Sequence, residues 1–458
     1  MNDDDANASC MKSFKPILFV VLLLAANSAF AWGPHSEITL AAVSTLGTNH
    51  PLARQLGSEL LELTNYCWLP DFKRLPFRVA AQDFYADDYL LFPGVTKHFD
   101  HICPEVQQTY EPYLKRALQA LRMESPANAA RWIGSLLHFV EDTGSPPHAA
   151  QIRGDVHAKM ENWVDAKQIS IAGYQPQLLG TNDNDAVRGL VQRMNGLIEF
   201  SKARGQKLRT PVLLGNRRAV EPVVLESALE TARVSADVLH TLGTLAAQSS
   251  VDGFEIGGVV QAPAVMTPGR FPARIVVHGT NIATLADSVG RFVLRGLKAR
   301  DYRITVIQPG AAILETNIPA MLFSTNVVFA LPSSGNLIRN SDFSVRWVQA
   351  GAPDCWTKSG STWEGEILAL QSGQRYRVCA NFMPDSEAEV LVRWSSELPF
   401  VVPKPIRPPP IQSRRLTADE PEFFVTGSTN AALMHLTLRT AEPPTNAVRS
   451  VAVIPVSD

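Results

Sequence analysis

The spacing of apolar residues changes character once along the chain, close to residue 250. Between residues 32 and 249 apolar side chains recur at steps of three and four, as along one face of an amphipathic helix. One such face consists of Leu225, Leu229, Ala232, Ala236, Leu239 and Leu242. Another helix is predicted to begin at Ser125-Pro126, an N-cap residue followed by proline, and to continue beyond Phe139. This region is therefore predicted to be all-α.

After Val251 the pattern becomes one of short β-branched runs separated by turn residues. Arg274–Val277, Gly290–Leu294 and Tyr302–Ile307 are such runs, and their spacing is typical of a β-sandwich. A further unit opens at Gly335 and continues in strand-like segments to Val456. The predicted fold is a multidomain chain, with an all-α domain over 32–249 followed by two β-sandwich domains over 254–332 and 335–458.

Both β units resemble known modules. PARIVVHGT at 272–280, followed by Asp287-x-x-Gly290-x-Phe292, resembles the carboxypeptidase-regulatory or transthyretin-like module. The opening of the last unit, Asn336–Phe343, resembles that of jelly-roll, carbohydrate-binding-like domains. From this architecture alone we predict that the β units present the N-terminal domain to a membrane or envelope surface, with binding of a glycan as a further option.

Residues 1–31 have the features of an export signal. They contain a positive region, an apolar stretch and a small-x-small cleavage pattern, at Lys12 and Lys15, Ile17–Ala26 and Ala29-Phe30-Ala31. The apolar stretch is too short to span a bilayer well. We therefore predict a signal peptide, an exported protein that is periplasmic or secreted, and no transmembrane span after cleavage before Trp32.

Composition excludes several classes of protein. The chain is 45% hydrophobic and 19% charged, which is unlike disordered, collagen-like or multi-span membrane proteins. Without residues 1–31, which hold two lysines and three aspartates, 40 basic and 41 acidic residues remain. Such a balance gives no basic face for duplex nucleic acid, so no duplex-binding role is expected.

Cysteine usage is compatible with disulfides in an exported chain. Removal of Cys10 leaves four cysteines, which allow three connectivities. The pairings closest in sequence are Cys67 with Cys103 and Cys355 with Cys379.

Histidine is concentrated near the start of the predicted mature chain, where seven of the ten histidines lie between residues 32 and 157. His138 and Asp142 are four residues apart in one predicted helix, and His157 and Glu161 repeat that spacing in the next, with His148 between them. Residues at i and i+4 share one helix face, so both members of a pair can reach one ion. A single pair is more often a surface ion pair, but two pairs around a third histidine favour a metal site. Imidazole nitrogen and carboxylate oxygen are ligands of tetrahedral zinc.

These residues carry a family resemblance. HFVEDTGSPPHAA at 138–150 and HAKMENWVD at 157–165 resemble the metal-binding core of the bacterial zinc-dependent phospholipase C family. That family includes an exported enzyme whose mature N-terminus is tryptophan, and the predicted cleavage here exposes Trp32, followed by Gly-Pro-His35. The resemblance implies an all-α zinc-hydrolase domain that holds up to three zinc ions. It also implies hydrolysis of a glycerophospholipid to diacylglycerol and a phosphorylated head group, at a membrane surface.

The resemblance also implies ligand positions. In the family, one zinc is bound by the N-terminal residue and a histidine, a second shares a bridging aspartate with it, and a third is bound by two histidines and a glutamate. The matching positions are Trp32 and His35 for the first ion, Asp142 as the bridge, His98 and His138 for the second, and His148, His157 and Glu161 for the third. His50 and His101 are predicted to be solvated, with a role in orienting ligands as the alternative.

An aspartate upstream of His98 completes the second ion's ligands in the family. Asp71, in Trp68-Leu69-Pro70-Asp71, resembles the family's turn but lies 27 residues before His98. Asp83 has the more usual separation, and Asp87 and Asp88 stay open as alternatives. Asp71 is favoured, both as a ligand and as the candidate catalytic general base.

Two other functions are left open. Single-strand-specific nucleases share this zinc scaffold, although Glu161 favours the phospholipase branch because the nuclease branch usually has aspartate at that position. Alternatively, the chain is a non-catalytic surface protein whose β units bind a glycan or a partner protein.

Overall fold

The computed structural model describes residues 33–68, 70, 88–92, 95–98, 101–249, 251–261, 273–280, 282–287, 289–308, 310–319, 324–345, 353, 356–395, 411–428 and 433–456. Within them a helical region is followed by strands that pair in sandwich-like sheets, which confirms the predicted multidomain fold class. The predicted leader lies outside this described part. None of the helices within it combines the length and the apolar character needed to cross a membrane.

Nine α-helices, two short 3-10 helices (Glu105–Thr109 and Ala166–Gln168) and one hairpin are described in the N-terminal region. The helices are α1 (His35–Val43), α2 (Pro51–Leu56), α3 (Glu59–Tyr66), α4 (Tyr110–Met123), α5 (Pro126–Gly144), α6 (Pro146–Ala149), α7 (Asp155–Asn162), α8 (Asp183–Leu213) and α9 (Arg217–Gln248). The hairpin pairs β1 (Asp88–Phe92) with β2 (Val95–His98) between α3 and α4. This layout agrees with the all-α pattern predicted for the region, apart from the short hairpin.

Helix α5 is the centre of the helical core. Its residues from Ala127 to Gly144 are all buried, so it packs against neighbours on every side. Two glycines allow the closest of these contacts. A Cβ added at Gly134 would lie 2.4 Å from the Cβ of Tyr66, and one added at Gly144 would lie 1.9 Å from the Oγ1 of Thr231. Glycine therefore lets the backbone of α5 approach α3 on one side and α9 on the other.

The start of α5 joins the helical region to the first β unit. The helix begins at Pro126, as predicted, and Ser125 occupies the N-cap position with extended backbone angles. Its hydroxyl makes no bond to the helix, however, and lies 2.7 Å from Thr284 Oγ1 and 2.7 Å from the carbonyl of Leu285. Tertiary contact has thus replaced the capping bond that local sequence predicts.

The first β unit contains two facing sheets. Its strands are β3 (Phe254–Gln261), β4 (Arg274–Val277), β5 (Ala283–Leu285), β6 (Arg291–Leu297), β7 (Tyr302–Ile307), β8 (Leu314–Ile318) and β9 (Thr325–Ala330). The order is β6-β3-β9 in one sheet and β5-β4-β7-β8 in the other, and β3 and β9 run parallel. The strands predicted at 274–277 and 302–307 match the observed bounds of β4 and β7. The run predicted at 290–294 corresponds to β6, which begins at Arg291 and extends to Leu297.

The second β unit has the same general construction. Its strands are β10 (Thr357–Ser359), β11 (Thr362–Ala369), β12 (Arg375–Phe382), β13 (Glu389–Ser395), β14 (Gln412–Leu416), β15 (Glu422–Thr426), β16 (Leu433–Arg439) and β17 (Val448–Val456), with a short helix α10 (Pro444–Ala447) before the last strand. The sheets have the orders β10-β11-β16-β13-β14 and β15-β12-β17. A buried apolar cluster that includes Val378, Val392 and Leu436 lies at its core.

The predicted cysteine pairing does not occur among the described residues. Cys103 is buried with a free thiol, so the disulfide with Cys67 is wrong. Burial raises the pKa of the Cys103 thiol to about 12. Cys379 is also a free thiol, and its predicted partner Cys355 lies outside the described part of the chain.

Candidate metal centre

Three consecutive helices bring the predicted pairs together. Helix α5 carries His138, and Asp142 follows one turn later on the same face. Pro146 and Pro147 end that helix, because proline cannot continue the hydrogen-bond ladder, and start the short α6 that carries His148. Helix α7 then begins after Gly154, whose φ of +75° suits glycine.

The first group of side chains surrounds one oxygen of Asp142. Its Oδ2 lies 2.7 Å from His101 Nδ1 and 3.0 Å from His138 Nε2. The two imidazole nitrogens are themselves 3.0 Å apart. Three potential ligand atoms therefore converge on one small space, and His35, His138 and Asp142 also form a compact buried group.

The second group surrounds one oxygen of Glu161. Its Oε1 lies 2.9 Å from His148 Nε2 and 3.1 Å from His157 Nε2. All three side chains are buried, with Glu161 fully so. The predicted i and i+4 pair of α7 thus shares its carboxylate with the histidine of α6.

Asp142 lies between the two groups. Its second oxygen, Oδ1, is 3.7 Å from His35 Nε2 and 3.7 Å from His148 Nδ1. The backbone carbonyl of His101 also accepts a 2.8 Å hydrogen bond from His148 Nδ1. One carboxylate and one loop residue therefore connect the first group to the second.

Backbone carbonyls determine how three of the rings are protonated. Nδ1 of His138 donates to the carbonyl of Cys67 at 2.7 Å, and Nδ1 of His157 donates to that of Ile152 at 2.7 Å. His148 is held in the same way by His101. Because a carbonyl oxygen can only accept a hydrogen bond, each Nδ1 carries a proton. Nε2 of the neutral ring then carries a lone pair and no hydrogen. Each of these lone pairs faces a carboxylate oxygen, which is also an acceptor.

Two acceptors held face to face require a cation between them. At His148 in the metal-free chain, a proton fills that role. Burial alone would lower the pKa of His148, but the carboxylates of Asp142 and Glu161 raise it to about 9. Burial would raise the pKa of Asp142, yet the imidazoles of His138 and His148 hold it well below its ordinary value. Anchored Nδ1 atoms with Nε2 atoms converging on carboxylates are also the arrangement of metal-binding histidines, so the donor set fits a divalent metal.

Glu141 was not anticipated from the sequence. Its Oε2 lies 2.6 Å from Nδ1 of His35, and its Oε1 accepts a 2.6 Å bond from the hydroxyl of Thr39. Both Glu141 and His35 are fully buried. Burial raises the pKa of Glu141 well above its ordinary value and lowers that of His35 well below its own, so the metal-free pair favours neutral forms. A carboxylate that holds the far nitrogen of a histidine commonly orients that ring toward a metal.

His101 differs from its predicted setting. Its side chain is 19% exposed and contacts Asp142 directly, so the prediction of a solvated position is wrong. His98, to which the sequence assigns a ligand role, is the last residue of β2 and pairs with Asp88 in the hairpin ladder. The side chains of His98 and Asp88 lie outside the described part.

Several other predicted residues also lie outside the described part of the chain. They are Trp32, Asp71, Asp83 and Asp87. Their assigned roles stay predictions. His50, by contrast, is described: it is partly buried and belongs to neither group, and its Nε2 is 3.0 Å from Nδ1 of His240.

Comparisons with known proteins give distant likenesses only. No family model matches the sequence, and no curated protein matches it. Among solved structures, an alpha toxin from Clostridium absonum is 12% identical over 64% of this chain and 95% of the toxin, with a TM-score of 0.37. The alpha-toxin of Clostridium perfringens from an avian strain is 13% identical over 63% of this chain and 94% of that one, with a TM-score of 0.30.

A third neighbour is a protein from Bacteroides uniformis whose description is carbohydrate binding. It is 10% identical and covers 44% of this chain and 98% of its own, with a TM-score of 0.16. Likenesses at these TM-scores assign neither a family nor an activity to this chain.

Proposed function

We propose that the chain is an exported zinc-dependent phosphodiesterase that hydrolyses glycerophospholipids to diacylglycerol and a phosphorylated head group. The observation that carries the proposal is the convergence of imidazole nitrogens on single oxygens of Asp142 and Glu161 in a buried space. Burying several ionisable groups is costly unless they pair with one another or bind metal. The motif at residues 138–165 supports the phospholipase branch.

The proposed ligands follow the groups described above. His35, His138 and Asp142 would hold metal at the first group, where His101 is placed to contribute. His148, His157 and Glu161 would hold metal at the second. When bound, zinc would supply Lewis acidity toward the phosphate ester and acidify a water molecule. Trp32, His98 and Asp71 keep their proposed roles as ligands, and Asp71 also that of general base.

The chain's own residues fix the orientation of this site. The carbonyls of Cys67, His101 and Ile152 hold the three rings so that each Nε2 points toward a carboxylate. Glu141 holds His35 from behind in the same way. Since Glu141 lies in the buried helix α5 and the other anchors are backbone carbonyls that already hold their rings, the donor atoms are positioned before any substrate binds.

Metal analysis of the purified mature chain tests the proposal directly. We expect at least two zinc ions per chain and loss of at least one in Glu161→Gln. Asp155→Asn is a matched control, because Asp155 is an exposed carboxylate on the same helix, and it should keep the wild-type content. Fewer than two bound ions would favour the non-catalytic surface protein instead.

Substrate assays separate the remaining alternatives. The metal-loaded chain should release phosphorylated head group from phosphatidylcholine vesicles and lose this activity on chelation. Activity confined to single-stranded DNA would overturn the phospholipase assignment in favour of the nuclease. A glycan- or envelope-binding role for the β units is part of the proposal, and deletion of residues 250–458 should impair action on packed lipid more than on a soluble ester.

A further inference from the structure

The turn between α8 and α9 exposes apolar side chains at the end of a long helical hairpin. Leu213 is 66% exposed and Leu214 is 78% exposed, more than any other large hydrophobic residue in the described part of the chain. Gly215, with a φ of +68°, turns the backbone directly after them. The two leucines therefore lie exposed at the turn between α8 and α9.

Exposed basic residues flank these leucines on both sides in the sequence. We call this set the basic tip; its members, all exposed, are Lys207, Arg209, Leu213, Leu214, Arg217 and Arg218. The segment from Lys207 to Glu221 contains four basic residues and one acidic residue, while the whole chain has a net charge of −2. The acidic residue, Glu221, is paired with Arg217 at 2.7 Å. Positive charge is thus concentrated where the apolar side chains are exposed.

The basic tip is firmly attached to the rest of the helical region. Directly beneath the leucines, Leu208, Val212 and Val220 are buried in one small apolar cluster. Met160 of α7 belongs to the same cluster and lies next in sequence to Glu161 of the second ligand group. The tip and that group are consequently supported by the same packing, so the tip is positioned relative to the candidate metal centre.

We propose that the basic tip inserts into the interface of a membrane that contains anionic lipid. Leu213 and Leu214 enter between the head groups and reach the acyl chains, while the basic residues contact lipid phosphates. Burial of apolar side chains together with attraction between basic residues and anionic lipid is the general basis of interfacial binding. Binding to a bilayer is measured without turnover, so this proposal stands or fails separately from the proposed enzymatic activity.

Other occupants of the basic tip fit the observations less well. A stable protein interface buries about 800 Å² on each partner, far more than two leucines on a turn provide. Single-stranded nucleic acid is usually held by aromatic side chains that stack on bases, and the segment 207–221 contains no Phe, Tyr or Trp. Exposed leucines flanked by basic residues suit a lipid surface, which offers an apolar interior beneath charged phosphates.

Sedimentation of the full mature chain with vesicles tests the proposal. The vesicles are phosphatidylcholine, with and without phosphatidylglycerol. We expect the double variant Leu213→Ser/Leu214→Ser to bind anionic vesicles at least about tenfold more weakly than wild type. Leu40→Ser/Leu61→Ser is the matched control, since those leucines are 49% and 62% exposed on other helices, and it should bind as wild type does.

Two further measurements probe charge and insertion. Arg217→Gln/Arg218→Gln should weaken binding to anionic vesicles by about tenfold at low salt, and Leu214→Trp should add a fluorescence component that shifts to the blue with anionic vesicles. The proposal is overturned if the leucine variant binds like wild type, if pure phosphatidylcholine binds equally well, or if the added tryptophan shows no shift. It is also overturned if light scattering shows a dimer that the leucine substitutions dissociate, because the tip would then contact a second copy of the chain.

Discussion

Replacement of Gly134 by alanine should destabilise the helical region, although alanine is the better helix former. The added methyl would lie 2.4 Å from the Cβ of Tyr66 and 2.6 Å from its carbonyl carbon, whereas carbon atoms in contact are about 3.5–4.0 Å apart. The second of these atoms is backbone, so no side-chain rotation relieves the clash. Helix α3 must therefore move away from α5 by about 1 Å.

The expected size of the effect follows from two opposing contributions. Overpacking a tight interface costs about 1–3 kcal/mol, and alanine regains at most about 1 kcal/mol of helix propensity. Gly196 is the matched control, because it lies in α8 and an added Cβ meets nothing within 4 Å. Gly196→Ala should therefore stabilise the chain by up to about 1 kcal/mol. The two variants should differ by about 1–3 kcal/mol, the overpacking cost itself.

Thermal unfolding followed by circular dichroism at the helical band measures this difference. The clash also reaches the candidate site, since Cys67 directly follows α3 and its carbonyl holds Nδ1 of His138 at 2.7 Å. Gly134→Ala should consequently bind metal more weakly than Gly196→Ala. A Gly134→Ala protein as stable as the Gly196→Ala protein would refute the close approach of α3 and α5.

Three more predictions concern single side chains. Glu141→Gln removes the carboxylate that holds His35 and should lower metal affinity by about 10–100-fold, as measured by competition with a chelator; unchanged affinity would rule out the orienting role. Burial, His240 and Arg54 all lower the pKa of His50, so its protonation opposes folding, and stability should decline as the pH falls below 6.5. This loss of stability at low pH should be smaller in His240→Gln than in the wild-type protein, as measured by urea unfolding at several pH values. An equal decline in unfolding free energy in the two proteins would contradict the role of His240. Burial raises the pKa of the Cys103 thiol to about 12, so Cys103 should resist iodoacetamide at pH 8 until the chain unfolds. Alkylation of Cys103 in the native protein, detected by mass spectrometry, would contradict this prediction.

The sequence predicts those features of the site that depend on local spacing. The four-residue separations of His138 from Asp142 and of His157 from Glu161 place each pair on one helix face, and the structure has both pairs in that arrangement. The change from helical to strand-like spacing near residue 250 likewise matches the observed order of elements. Both are consequences of backbone periodicity, which a short window of sequence contains.

Features that depend on long-range contact could not be predicted in this way. Glu141 contacts His35 across 106 residues of sequence, so no local pattern distinguishes it from an ordinary helix glutamate. His98 and His101 are three residues apart in sequence, and that spacing alone does not predict that His101 contacts Asp142. The disulfide prediction for Cys103 failed for a related reason, since proximity in sequence does not ensure the geometry that a disulfide needs.

Helix α5 combines two demands that normally conflict. It is buried from Ala127 to Gly144, yet it carries His138, Glu141 and Asp142 into that interior. Each ionisable side chain loses hydration there, and a buried pair recovers that loss only when its geometry and remaining hydrogen bonds are good. The carbonyl of Cys67 provides such a bond for His138, and Thr39 provides one for Glu141. The buried carboxylate of Asp142 is stabilised instead by positive charge on the imidazoles around it. A cation in the space between this carboxylate and those rings would therefore offset its lost hydration best.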